Sequence, residues 1–358
     1  RNLRRYKRRV SMKLLVCAME ASSNVHLKEL KKYLNDDVEL VGVFDKELGN
    51  PLYDLTALAI MGIVDALKKL RFFFKLRDEL VELARDCDKV LLMDSSGFNL
   101  PLAKKLRETY PNKEIIYYIL PQAWAWKKGR VKKLEAYCSK LCSIIPFESE
   151  IYNDKNKITY VGHPLLDEIQ DFKQELANTN KIAFMPGSRK TEITNLMPIF
   201  RELILKIPNK EYILIIPAKF DDDYIKKIYG DISDFTTSKN THKTLQEAEY
   251  AFICSGTATL EATLIGTPFT LSYIAKKIDY FIGSLFVKLN HVGLANIFFE
   301  KMGKQPLHSE FLQENVTVEN LFNDYQNMNK NLFFENSKIL REYLKNGSSQ
   351  NVAKIIQN

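Results

Sequence analysis

The sequence has few of the residues that build disulfide scaffolds, metal centres or membrane spans. Its 358 residues include five cysteines and five histidines, with no Cys-x-x-Cys pair and no histidine at ligand spacing from a cysteine or another histidine. Scattered cysteines are typical of reduced, buried thiols in the cytoplasm. The longest uncharged run, residues 262–275, contains Gly266 and Pro268 and falls short of the ~18 apolar residues that cross a membrane. We therefore expect no metal, no cofactor and no transmembrane helix.

Positive charge is concentrated in the first eleven residues. They hold six of the 52 basic residues and no acidic one, which leaves 46 basic against 44 acidic residues in the rest of the chain. A basic tail of this kind is usually solvated and can contact nucleic acid or an anionic lipid surface. The alternative is a tag or upstream sequence, because Met12 opens the first strand-like run. Since the rest of the chain is nearly neutral, we expect no nucleic-acid partner.

Short β-rich runs alternate with longer segments of helical period, which predicts an α/β fold built from right-handed βαβ units on parallel sheets. The pattern restarts after about residue 165, so we expect two doubly wound, Rossmann-like domains facing a cleft, at residues 12–165 and 166–340. Ligands of such domains lie at the carboxyl ends of the strands. The predicted strands are residues 14–18, 39–44, 89–93, 115–120, 141–145, 181–185, 211–216, 250–254 and 269–273. The predicted helices include residues 26–34, 100–110 and 130–137.

The usual phosphate-binding motifs are missing, since the chain has neither a Walker sequence nor a Gly-x-Gly-x-x-Gly fingerprint. One turn after a predicted strand nevertheless has suitable residues, namely Gly187, Ser188 and Arg189. A guanidinium at this position can grip a diphosphate through two parallel hydrogen bonds. The alternative is an ordinary turn with an exposed arginine.

A second turn of this kind contains Ser255, Gly256 and Thr257 and opens a predicted helix. We expect Ser255 or Thr257 to cap that helix, whose free N–H groups and dipole attract phosphate oxygens. Glu261 follows one turn later, where it can accept hydrogen bonds from a ribose diol. The alternative is a well-capped helix whose glutamate faces water.

Two carboxylates follow strands of the first domain and are candidates for a catalytic base. Asp94 comes directly after the predicted strand at residues 89–93, and Glu20 holds the equivalent place after the first strand. A carboxylate that points from a strand end into a cleft can take a proton from a hydroxyl nucleophile. The alternative for Asp94 is capping of the helix that follows.

The segment at residues 59–77 has the composition of a helix that lies on an anionic membrane surface. An apolar face that includes Ile63, Leu67, Leu70 and Phe74 is widened by Phe72 and Phe73 and flanked by lysines and arginines. The alternative is a buried helix of the domain, although three consecutive phenylalanines cannot all face one core. In a separate segment, Trp124 and Trp126 can stack on a sugar or a base if they lie near the cleft, with ordinary core packing as the alternative.

Taken in order, these motifs resemble the lipid-A-disaccharide synthase family, the inverting glycosyltransferases of endotoxin assembly in Gram-negative bacteria. The resemblance extends from Leu14 to about Gln313. The matching segments are residues 121–126, 130–133, 146–148, 161–165, 186–189, 192–193, 255–261 and 266–268.

The chain departs from the family's pattern in two loops. In the first loop, Met19 and Ser23 stand in place of glycines and Asn24 stands in place of an aspartate. In the loop after the strand at residues 89–93, Gly97 replaces the second of two aspartates. The resemblance therefore implies that Asp94 is the catalytic carboxylate.

The resemblance implies a B-type glycosyltransferase fold with a C-terminal helix, residues 341–358, that closes back. It implies a UDP-2,3-diacylglucosamine donor, a 2,3-diacylglucosamine 1-phosphate acceptor, and the products UDP and a β-1,6-linked disaccharide 1-phosphate. It places Asn296 on a donor phosphate or sugar oxygen, and it implies metal-independent inversion by a cytoplasmic protein that associates peripherally with the inner membrane. A monomer and a homodimer are both open.

Two other functions compete with this one. A UDP-sugar 2-epimerase has the same fold and binds UDP in the same way, but it needs no acceptor. Such an enzyme does not need an apolar helix that binds acyl chains. A non-enzymatic basic module that binds a membrane or RNA would depend on the tail, and no RNA-recognition motif accompanies that tail.

Overall fold

The computed structural model describes residues 12–54, 66–125, 129–176, 178–274 and 290–358. The basic tail, Ile63 and Trp126 therefore lie outside the described residues. Leu67 is described for its backbone alone. The five cysteines all lie in the described ranges, and each is free and buried, as predicted.

The chain divides into two compact units. The first runs to Glu168 and includes the C-terminal residues from Leu344 onward, and the second runs from Ile169 to Tyr343. The division therefore lies three residues beyond the predicted one, after a short helix, Leu165–Glu168 (α5), that completes the first unit.

The first unit is built on a seven-stranded sheet in which every pair of neighbouring strands is parallel. Its order is β3-β2-β1-β4-β5-β6-β7. The strands are Met12–Ala18 (β1), Val38–Phe44 (β2), Asn50–Asp54 (β3), Lys89–Met93 (β4), Glu114–Tyr118 (β5), Lys140–Ser143 (β6) and Ile158–Tyr160 (β7). The helices besides α5 are Ala21–Lys31 (α1), Ala66–Leu83 (α2), Ser96–Thr109 (α3), Gly129–Tyr137 (α4) and the C-terminal Ser348–Gln357 (α13).

The second unit has a six-stranded parallel sheet in the order β10-β9-β8-β11-β12-β13. Its strands are Lys181–Met185 (β8), Glu211–Ile215 (β9), Thr236–Ser238 (β10), Tyr250–Cys254 (β11), Phe269–Tyr273 (β12) and Glu310–Leu312 (β13). Its helices are Lys190–Lys206 (α6), Asp222–Tyr229 (α7), Thr241–Glu247 (α8), Thr257–Ile265 (α9), Leu294–Lys301 (α10), Val318–Asn327 (α11) and Lys330–Leu344 (α12).

The central strands form because their residues are apolar on both faces. All five residues of β11 are buried, as are the last five residues of β1, which is the pattern of a parallel sheet covered by helices on both sides. The C-terminal α13 supplies part of that cover in the first unit, since Val352, Ala353 and Ile356 pack against residues of β1 and β4. The α/β fold with two doubly wound sheets is as predicted.

Strand order fixes where a ligand can bind in each unit. The chain begins each sheet in its middle and then crosses to the other side, so the order reverses between β1 and β4 and again between β8 and β11. In doubly wound sheets, ligands bind outside the carboxyl ends of the strands at such a reversal. The four turns that follow these strands are the turns on which the sequence placed its candidate residues.

Candidate active site

The turn after β4 holds Asp94 and Ser95 in an uncommon backbone conformation. Their φ angles are 50° and 41°, in the left-handed region that costs an L-residue roughly 1–2 kcal/mol. The buried amide of Asn99 stabilises the turn by donating to the carbonyl oxygens of Met93 and Asp94, both at 3.0 Å. The hydroxyl of Tyr117 also donates to the Asp94 carbonyl, at 2.5 Å. This network holds the Asp94 side chain at the carboxyl end of its strand.

Asp94 and Glu20 are brought together at the reversal between β1 and β4. The Ser95 hydroxyl donates to the Glu20 carboxylate at 3.2 Å, so one turn contacts both acidic residues. Burial raises the pKa of Asp94 above its usual range, and the charge of Glu20 raises it further, while the Ser95 N–H and His26 lower it. A carboxyl group with a raised pKa is a stronger base once it is ionised, which suits proton abstraction from a hydroxyl.

The two carboxylates line a cavity of about 850 Å³, which we call the carboxylate cavity. Helix α2 contributes apolar lining through Leu70, Phe73 and Phe74. Met19, Phe98 and Pro101 complete the apolar lining, and Arg77 contributes a guanidinium that is bonded to Asp78. The cavity therefore pairs a basic oxygen with a surface suited to hydrocarbon.

Helix α2 is divided between the core and the surface. Phe72 packs edge-on against Tyr53 with centroids 5.7 Å apart, and Phe73 packs against Phe98 at 5.8 Å. In contrast, Leu70 is 52% exposed and Phe74 is 50% exposed. One face of α2 therefore belongs to the domain core, as in the alternative interpretation, and another face is left at the surface. The interpretation as a membrane-surface helix stays a prediction.

The loop after β1 is held by the residues that replace the family's usual ones. Asn24 is buried, and its amide donates to the carbonyl oxygens of Ala18 and Glu20 at 2.9 and 2.8 Å. The side-chain carbonyl of Asn24 accepts a hydrogen bond from the Asp45 N–H at 2.7 Å. Asn24 therefore fixes the backbone beside Glu20, a role that sequence reasoning missed along with that of Asn99. A polar residue close behind a buried strand was the available signal in both cases.

In the second unit, the turn after β8 is organised by Glu192. This buried carboxylate accepts from the backbone N–H groups of Ser188 and Arg189, both at 3.1 Å, and from the Arg189 guanidinium at 2.9 Å. The Arg189 side chain nevertheless stays 77% exposed. Gly187 has a φ of 102°, and a Cβ there would lie 2.9 Å from the Cβ of Glu192 and closer still to its carboxylate.

The turn after β11 leaves its backbone open. Gly256 has a φ of 146°, and nothing lies within 4 Å of the position that a Cβ would occupy. The helix cap is Gly256, so the expectation that Ser255 or Thr257 caps α9 is wrong. A glycine cap makes no side-chain bond to the first turn, and the turn stays accessible because Gly256 and Thr257 are exposed. Glu261 is half-buried on α9, one turn further on.

Two candidate residues have structural partners instead of open positions. Asn296 is fully buried, its amide donates to the His308 carbonyl and to the Glu310 carboxylate, and its oxygen accepts from two backbone N–H groups. These bonds engage both the nitrogen and the oxygen of the Asn296 side chain, and its contact with a donor molecule stays a prediction. Trp124 packs edge-on against Phe147 at 5.2 Å, which corresponds to the core alternative.

Within the described residues, no cluster of three or more His, Cys, Asp and Glu side chains has a geometry that could hold a metal ion. Among the helices described, none combines the length and apolar character needed to cross a membrane.

A family model described as lipid-A-disaccharide synthetase matches residues 14–356. The chain is 47% identical over 352 residues to the lipid-A-disaccharide synthase of Helicobacter pylori strain G27, covering 95% of this chain and 96% of that protein. It is also 47% identical over 363 residues to the synthase of Campylobacter jejuni strain RM1221, with 96% and 98% covered.

Among solved structures, a Staphylococcus aureus MnaA–UDP co-structure superposes with a TM-score of 0.63 at 11% identity, covering 97% of this chain and 96% of that one. The glycotransferase of kitacinnamycin superposes with a TM-score of 0.59 at 12% identity, covering 97% and 98%. At these identities the likeness concerns the fold, which in both cases consists of two Rossmann-like domains.

Proposed function

Since this chain belongs to the lipid-A-disaccharide synthetase family, the glycosyltransferases of lipid A biosynthesis, we propose that it joins UDP-2,3-diacylglucosamine to 2,3-diacylglucosamine 1-phosphate. The products are UDP and the β-1,6-linked tetraacyl disaccharide 1-phosphate. The assignment of roles rests on the carboxylate cavity, which Asp94 and Glu20 line together with apolar side chains. An acceptor of this class needs both features, because its reacting hydroxyl lies on a sugar that also bears two acyl chains.

Asp94 is the general base of the proposed mechanism. It takes the proton of the acceptor's 6-hydroxyl while that oxygen attacks the anomeric carbon of the donor. The bond between the anomeric carbon and the β-phosphate oxygen breaks in the same displacement, so the configuration inverts and no covalent intermediate forms. Glu20 supports this step by raising the pKa of Asp94 and by fixing the neighbouring Ser95.

Arg189 and the turn at residues 255–257 take the departing UDP in this proposal. Negative charge develops on the β-phosphate as the bond breaks, and the exposed guanidinium is suited to meet it. The N–H groups at the start of α9 are suited to a second set of phosphate oxygens, because the glycine cap leaves room for close approach. Donors of this kind are commonly worth about 3–4 kcal/mol each in the transition state. Ser188 adds a hydroxyl beside the phosphates, and Glu261 holds the ribose.

Helix α2 delivers the acyl chains in the proposed function. Its exposed Leu70 and Phe74 form an apolar strip at the edge of the carboxylate cavity, and Arg71 and Lys75 are exposed beside them. Apolar residues flanked by cations settle at the surface of an anionic membrane. We therefore propose peripheral attachment to the cytoplasmic face of the inner membrane through this strip.

The test is UDP release by the purified protein in detergent micelles with EDTA present, first with the donor alone and then with the acceptor added. We expect release only when both substrates are present. Asp94→Asn should lower the rate of UDP release by at least two orders of magnitude, since one general base contributes roughly 10²–10⁴-fold. UDP should still bind to this variant. Asp223→Asn is the matched control, because Asp223 is exposed on α7, and it should keep full activity.

Two outcomes would contradict the proposal. Full activity of Asp94→Asn would remove the base assignment. Conversion of the donor without any acceptor would favour the 2-epimerase alternative. The solved structures of similar fold support that alternative only through the fold itself.

A further inference from the structure

A second cavity adjoins the carboxylate cavity in the first unit. It has a volume of about 480 Å³, shares Ser96 and Gly97 with the carboxylate cavity, and is lined on its far side by Gly129, Arg130 and Lys133. Among the residues that the structure describes, no acidic side chain lines it. We call it the basic cavity, and neither the proposed base nor the proposed donor turns use it.

The first described turns of two helices line the basic cavity. Ser96 is the first residue of α3 and Gly129 is the first described residue of α4, so the first turn of each helix contributes to the lining. The unpaired N–H groups and the dipole at such ends carry a partial positive charge of about half a unit. Neither first turn contains an acidic residue that would offset it. A Cβ at Gly97 would meet nothing within 4 Å, which leaves the entrance from the carboxylate cavity open.

Two cations share the same side of the cavity. Arg130 and Lys133 are three residues apart on α4, a spacing that places both side chains on one helix face. Arg130 is also close enough to Tyr117 to oppose the effect of burial on the pKa of that hydroxyl. Because Tyr117 donates to the Asp94 carbonyl, the guanidinium lies near the catalytic turn. A planar guanidinium and an ammonium beside two helix N-termini form an arrangement selective for phosphate.

We propose that the basic cavity binds the phosphomonoester of the acceptor, an inference that rests on the proposed function. In a glucosamine 1-phosphate, the 6-hydroxyl and the phosphate flank the ring oxygen, and the substituents at positions 2 and 3 leave from the opposite side of the ring. One sugar can therefore present its hydroxyl to Asp94 and its phosphate to Arg130 and Lys133. Its acyl chains then run along Leu70 and Phe74 of the carboxylate cavity.

The experiment compares the 1-phosphorylated acceptor with the same diacylglucosamine lacking the phosphate, in micelles with a fixed concentration of donor. The wild type should use the phosphorylated acceptor at a much lower KM. Arg130→Gln should raise that KM by roughly 10- to 100-fold, the factor expected for lost hydrogen bonds to a charged group, and Lys133→Gln should raise it less. Neither change should affect the KM of the dephosphorylated acceptor. Lys132→Gln is the matched control, since Lys132 is exposed on the same helix and lines neither cavity.

Three results would overturn the inference. Equal KM values for the two acceptors in the wild type would mean that no phosphate subsite exists. If Arg130→Gln and Lys133→Gln still prefer the phosphorylated acceptor and Arg77→Gln does not, the phosphate binds in the carboxylate cavity. If Arg130→Gln does not fold, unchanged discrimination in Arg130→Lys combined with Lys133→Gln would equally contradict it.

Failure of the proposed function gives a different result. In that case the wild type transfers to neither acceptor, and calorimetric titration of both acceptors into the same micelles still measures their binding. A phosphate-dependent affinity that Arg130→Gln removes would then support the basic cavity, and equal affinities would refute it.

Discussion

Replacing Asn99 by leucine tests whether the catalytic turn has to be held in its left-handed conformation. The Asn99 amide is completely buried and donates to the carbonyl oxygens of Met93 and Asp94, both at 3.0 Å. Leucine has the same number of side-chain heavy atoms but forms neither bond. Two such bonds contribute about 1 kcal/mol each, and a buried carbonyl left without a donor costs a further 1–3 kcal/mol. Because Asp94 keeps its bond from Tyr117, only one carbonyl loses its donor, and we expect a total loss of about 3–5 kcal/mol in unfolding free energy.

The same substitution should impair catalysis more than binding. Asp94 and Ser95 both have positive φ angles, and without the amide this turn can relax to an ordinary conformation that moves the carboxylate. Displacement of a reacting group by about 1 Å can cost 10²-fold in rate, so we expect kcat to fall by roughly 10- to 100-fold. The affinity for UDP should not change, because Asn99 belongs to the first unit. Urea unfolding, UDP release and UDP titration measure the three quantities.

Leu106→Ala controls for loss of stability alone. Leu106 is fully buried on the same helix, α3, and its truncation should cost about 2–5 kcal/mol without touching the turn. The reasoning is refuted if Asn99→Leu loses stability but keeps its full kcat, or if Leu106→Ala loses as much kcat as Asn99→Leu does.

Two shorter predictions concern one turn in each unit. Gly187→Ala should weaken UDP binding measured by titration, because a Cβ there would lie 2.9 Å from the Cβ of Glu192 at a φ of 102°; unchanged affinity would remove this turn from the donor site. Glu20→Gln should move the acid limb of the kcat/KM profile to lower pH, because the Glu20 charge raises the pKa of Asp94 and the base acts only when ionised. A limb that stays in place or moves to higher pH would contradict the assigned coupling.

The central strands could be predicted from the sequence because burial on both faces leaves continuous apolar runs. The predicted bounds of β4, β8, β11 and β12 coincide with the observed ones. The four strands that were missed, β3, β7, β10 and β13, are the edge strands of the two sheets. They are short and mostly only partly buried. A strand that is covered on fewer sides needs fewer apolar residues, so its sequence resembles a loop.

The site residues could be predicted where position in the chain determines position in space. Asp94 and Glu20 were identified because each follows a buried strand, and strand order alone then places them side by side. Asn99 and Asn24 could not be assigned in this way, because their role depends on which carbonyl groups the folded backbone presents to them. For Asn296, the resemblance predicted contact with the donor. In the structure, its side-chain amide makes four buried hydrogen bonds within the protein.

The two units use one topological position for opposite charges. In the first, the turns after β1 and β4 carry Glu20 and Asp94, and burial makes the Asp94 carboxylate a better proton acceptor. In the second, the turns after β8 and β11 carry Arg189 and an open glycine cap. There the acidic residue Glu192 is buried and bonded to the β8 turn itself. Glu192 therefore orders that turn while its carboxylate stays covered, which keeps a negative charge from facing the phosphates.

The proposed phosphate site in the basic cavity shows the same separation from acidic residues. It lies one helix away from Asp94, and none of the described residues in its lining is acidic, so one unit can hold a base and an anion in adjoining cavities.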